Sequence, residues 1–62
     1  MKTKEELLER LSELRTLVTA LGNPASYNNV SKRAAYDMLE SLRAANLEME
    51  MTLAALIVLQ QQ

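Results

Sequence analysis

The chain has 62 residues, 48% of them apolar, with seven basic and eight acidic side chains and a net charge of -1. At that length one small domain is the upper bound, and a monomer stands near the limit at which it can bury a useful core. With no Cys and no His, disulfide frameworks, zinc sites, thiol nucleophiles and imidazole proton shuttles are excluded, and the near-neutral charge exerts no bulk pull toward nucleic acid or anionic membrane.

Leu and Ala dominate the composition and β-branched residues are few, which favours helix over strand throughout. The single Gly and single Pro lie two positions apart, at Gly22 and Pro24. One punctuation mark in a helical sequence predicts two helices and one turn. The first helix is expected over about 4–21. Thr3 and Glu6 have capping-box spacing, and Leu7, Leu11, Leu14, Val18 and Leu21 step by fours and threes along one seam. Glu6 and Arg10 stand at i, i+4 and are expected to pair on the outer face. Gly22 is expected to take the left-handed position after the helix, and Pro24 to prevent continuation.

The turn, about 22–30, is rich in capping residues. An Asn23 cap with Pro24 at the first position would start a helical turn early, whereas renewed apolar periodicity after Val30 favours a start near Asn29 or Ser31. The second helix is expected over about 31–60, with Ala35, Leu39, Leu42, Met49, Leu53 and Leu56 on its seam. Asn46 interrupts that seam, either as a polar register element or as an exposed residue at the edge of the stripe. Leu47–Leu53 alternates like a strand, but its residue types are poor strand formers and a lone strand has no partner within the chain.

Folded as an antiparallel hairpin, the short first helix would cover only about the first 18 residues of the second. The surplus, roughly 49–60, would extend about 18 Å beyond, and it is the most apolar stretch of the chain. Met49, Leu53, Leu56 and Ile57 form one stripe there, and Met51 and Val58 belong to another on the opposite side. Burial on two sides points to a symmetric homodimer with a four-helix core, those six residues forming its interface. Met38, Met49 and Met51 fit ordinary core packing better than a permissive binding surface.

Chemistry has little to work with. Asp37, Glu40, Glu48 and Glu50, with Glu5, Glu6, Glu9 and Glu13, read as structural or solubilising carboxylates, and no Ser or Thr has a nearby base of useful pKa. The expectation is therefore a non-enzymatic protein without cofactor or metal, acting through protein–protein contact. The alternative is a small DNA-binding regulator. Tyr27, Asn28, Asn29, Lys32, Arg33 and Tyr36 group two cations, two amides and two aromatic rings at the turn and the start of the second helix. Asp37 is placed to pair with Arg33 at i, i+4, and solvated loop chemistry explains the same residues without a ligand. A membrane role is not favoured: the longest apolar run, Leu53–Leu59, is far too short to span a bilayer, and Glu48 and Glu50 stand where an interfacial helix carries Lys or Arg. The charged start MKTKEELLER is unlike a secretory signal, so a cytoplasmic location is expected.

The run Thr3–Leu8 (TKEELL), the Gly22-Asn23-Pro24 turn and the long apolar second helix resemble small helical early proteins of lambda-like temperate phages, those encoded between the recombination and excision genes. That resemblance covers most of the chain. It implies an accessory protein made early in infection, in the host cytoplasm, that influences host physiology or the lysis–lysogeny choice, and it carries no catalytic residues.

Overall fold

A computed structural model describes residues 2–61 of the chain. Two helices, α1 (Lys4–Leu21) and α2 (Lys32–Gln60), pack against each other as a hairpin, with a 3-10 turn over Pro24–Tyr27 between them. Helix α1 starts where the capping box places it: the Thr3 hydroxyl accepts from the Glu6 amide at 3.2 Å, and the Thr3 amide donates to the Glu6 carboxylate at 3.3 Å. Two of the orphan donors of the first turn are thereby satisfied.

The turn combines both of the starts that its sequence allows. Asn23 caps the 3-10 turn by accepting from the Ala25 amide, with Pro24 at its first position, and Ser31 then caps α2 by accepting from the Ala34 amide. Asn29 lies between them at φ 63°, a left-handed conformation that Asn tolerates better than most residues. Gly22 departs from expectation: its φ of -86° and ψ of -5° are right-handed. Its lack of a side chain matters for space instead, because a Cβ there would meet the Val18 carbonyl oxygen at 2.9 Å. Side chains of the turn close the end of α1. The Ser26 hydroxyl donates to the Ala20 carbonyl at 2.7 Å and the Tyr27 hydroxyl donates to the Leu21 carbonyl. With no basic residue in the last turn of α1, these neutral donors satisfy carbonyls that the helix leaves open.

Helix α2 is continuous across Leu47–Leu53, so the alternation there is helical. Its rotation differs from the expected seam. Buried Ala45 and Thr52, with half-buried Met38, Leu42, Met49 and Leu56, face α1, while Leu39, Asn46 and Leu53 are exposed to one side. The reason is electrostatic and steric together. Arg10 reaches across to Glu48 with two bonds, Nε to Oε2 at 2.6 Å and Nη2 to Oε1 at 2.8 Å, which turns Glu48 toward α1. Leu14, the fully buried large side chain, then needs small Ala45 at its level.

The same pair sets the register and shortens the expected overhang. With Arg10 level with Glu48, the start of α1 at Lys4 lies level with about residue 54, leaving roughly six residues of α2, or about 9 Å, beyond it. The connector accounts for the difference. Leu21 is level with about residue 37, so the 3-10 turn and the residues after it carry the chain about 8 Å past the end of α1 before α2 returns.

The molecule is a rod of 48 × 15 × 14 Å with a radius of gyration of 14.2 Å, against about 10.5 Å for a compact domain of this length. Its accessible surface is 5021 Å², about a quarter more than the roughly 4,000 Å² typical of a monomer of this mass. Among the described residues only Leu7, Leu14, Ala45 and Thr52 are buried. The Thr52 hydroxyl satisfies itself locally by donating to the Glu48 carbonyl at 2.9 Å. Among the described residues no helix is long and apolar enough to cross a membrane.

Candidate functional site

The hairpin has two unlike sides, which follow from advancing 100° per residue along each helix from the buried line. On one side lies the ion group. Arg10 holds Glu48 across the seam and Glu13 along its own helix, at 3.3 Å from Nη1 to Oε1. These hydrogen bonds raise the Arg10 guanidinium further above its ordinary range, and the bond from Arg10 holds the Glu48 carboxyl below its own, against a smaller opposing effect of desolvation. Sequence spacing pointed elsewhere for this arginine. The expected Glu6–Arg10 pair does not form, because Glu6 is occupied by Thr3 and Arg10 by Glu48. No local pattern announces a contact 38 residues apart.

The other side carries many of the exposed leucines. Leu8 and Leu11 of α1 lie there with Leu39, Leu42, Leu53 and Ile57 of α2, and the exposed Lys4 and Arg15 of α1 fall between Leu11 and Leu8. Leu8 is 46% exposed, Leu39 47%, Leu53 43% and Ile57 55%. Asn46, also exposed, sits midway between Leu39 and Leu53, two helical turns from each. No ion pair among the described residues crosses this flank. A third set, Leu47, Met51 and Val58, lies on the back of α2 away from α1, and each is more than half exposed. The six residues expected at a dimer interface are thus spread around α2. Met49 and Leu56 are half-buried toward α1, Leu53 and Ile57 lie on the apolar flank, and Met51 and Val58 lie on the back.

The residues considered for nucleic-acid contact are gathered at the turn end of the rod. Asn28, Asn29, Lys32, Arg33 and Tyr36 are exposed, while Tyr27 is half-buried with its hydroxyl engaged at the end of α1. The expected Arg33–Asp37 pair does not form; among the described residues the ion pairs are those of Arg10. A shallow hollow on the outer side of α1, lined by Ser12, Arg15, Thr16, Thr19, Ala20 and Asn23, is open to solvent. Among the described residues no group of three or more acidic side chains converges as metal ligands would.

Comparison of the chain with protein-family models, with curated proteins and with solved structures gives no match.

Proposed function

We propose that this protein works by association: it is a non-enzymatic homodimer that presents helical surface to another protein. One observation carries the reading, namely the surface left over by the hairpin. About 1,000 Å² more is exposed than a compact monomer of this mass leaves open, close to the roughly 800 Å² per partner of a standard protein interface. Large apolar side chains stand in that exposed surface, Leu8, Leu39, Leu53 and Ile57 on one flank and Leu47 and Met51 on the back of α2, and exposed apolar surface favours burial. Pairing of two hairpins would produce a four-helix bundle. The resemblance to phage early proteins adds a direction: an accessory role in the host cytoplasm, exerted by binding a host protein.

A second reading is favoured by the turn end, where Lys32 and Arg33 have no carboxylate partner among the described residues and Tyr36 is 60% exposed. There the protein would be a small DNA-binding regulator contacting phosphate and a base. Sedimentation equilibrium at micromolar concentration tests the first reading, with about 14 kDa expected, twice the 7.0 kDa chain. A folded 7 kDa species would overturn it. Duplex binding that falls steeply with salt and is lost in Lys32→Glu/Arg33→Glu would move the second reading ahead.

A further inference from the structure

Resting on the homodimer reading above, we infer that the second copy docks on the Leu39–Asn46–Leu53 flank, with the two α2 helices antiparallel and the twofold axis at the level of Asn46 and Leu47. The flank is self-complementary about that level. Leu39 and Leu42 lie on one side of it and Leu53 and Ile57 on the other, so an antiparallel copy brings leucine against leucine along the helix. Asn46 falls nearest the axis. There its amide stands beside the Asn46 amide of the other copy in this register and opposite apolar side chains in a shifted one, the usual role of a lone polar residue in a helical seam.

Charge points to the same arrangement. Arg43 and Glu50 lie on one edge of the flank, one before and one after the axis and nearly equidistant from it. Both are exposed, and neither has an ion-pair partner among the described residues. Antiparallel pairing sets Arg43 of each copy beside Glu50 of the other, twice per dimer. The competing surface on the back of α2 behaves oppositely. Its apolar residues Leu47, Met51 and Val58 centre on Met51, and a twofold axis there would bring Glu50 close to its own copy. Like charges facing each other across a seam act against that pairing. Before Leu47 the back of α2 carries Tyr36 but also Glu40 and Arg33, so charge interrupts its stripe at full length. On the proposed flank, Leu8 and Leu11 of α1 stand beside α2, with Lys4 and Arg15 between them.

The experiment is a charge exchange on the full chain, read by sedimentation equilibrium with helicity by circular dichroism. Arg43→Glu makes both 43–50 contacts repulsive, and Glu50→Arg does the same. Each variant alone is expected to raise the dimer dissociation constant about ten- to thirtyfold. An equimolar mixture of the two carries attractive pairs again, as does the double variant Arg43→Glu/Glu50→Arg, so both are expected to regain dimer mass and helicity. Recovery on mixing also covers the case in which the single variants unfold when they dissociate. If the wild type is a dimer and the single variants associate as tightly as it does, the antiparallel arrangement is overturned while the dimer stands. Weakened single variants that neither mixing nor the double exchange rescues would overturn it too. A wild type that sediments as a 7 kDa monomer would remove the homodimer itself, and this arrangement with it.

Discussion

Leu14 is 1% exposed and lies about level with Ala45, itself 4% exposed, on the buried line of the hairpin. Among the described residues it is the most completely buried large side chain. Truncating it removes the transfer term and leaves a cavity. Leu14→Ala is expected to cost about 2–5 kcal/mol, measured by urea unfolding, whereas truncation of exposed Leu17 should cost well under half of that. Equal losses at the two positions would show that Leu14 is not the centre of the core. Leu14 was legible in the sequence as a seam position. Ala45 was not, because a small residue carries little periodic signal, and its burial depends on the large residue opposite.

Between the helices, the Arg10–Glu48 contact fits the rotation of α2 that leaves Leu39, Asn46 and Leu53 outside. It also makes the hairpin sensitive to acid. Because the bond from Arg10 holds the folded Glu48 carboxyl below its unfolded range, the stabilisation is complete above the unfolded value, near 4.3, and is lost as pH falls through the folded value. Both groups are partly solvated, with side chains 41% and 43% exposed, so the effect is screened. Glu48→Gln is expected to lower the melting temperature at pH 7 and to narrow the gap to wild type at pH 3. A gap that stays constant across that range would show that the carboxylate charge is not what acts. The helix ends were readable from local chemistry: Thr3 with Glu6, Asn23 before Pro24, and Ser31 each satisfy backbone donors within three residues. The seam of α2 was readable only in part. The stripes through Leu39, Asn46 and Leu53 and through Met38, Ala45 and Thr52 lie about 100° apart on the wheel, on either side of Leu42 and Met49, which the expected and observed faces share.

As a whole, the rod leaves many large apolar side chains exposed, and four buried residues among those described are a small core for a 62-residue chain. Stability supplied by a second copy depends on mass action. The melting temperature is therefore expected to rise by several degrees for each tenfold increase in protein concentration, measured by circular dichroism. A midpoint that does not move would mean that the hairpin is stable alone. The overhang on which a dimer was first argued shrinks to roughly six residues, yet exposed apolar side chains remain along the flank and back of α2. The sequence by itself determined two helices, their lengths and the caps at their starts, since those depend on hydrogen bonds between near neighbours. Which faces of those helices meet, how far they overlap and where the unburied surface lies were decided by the tertiary structure. Those depend on a contact 38 residues apart and on how the connector reverses the chain, and neither leaves a pattern in local spacing.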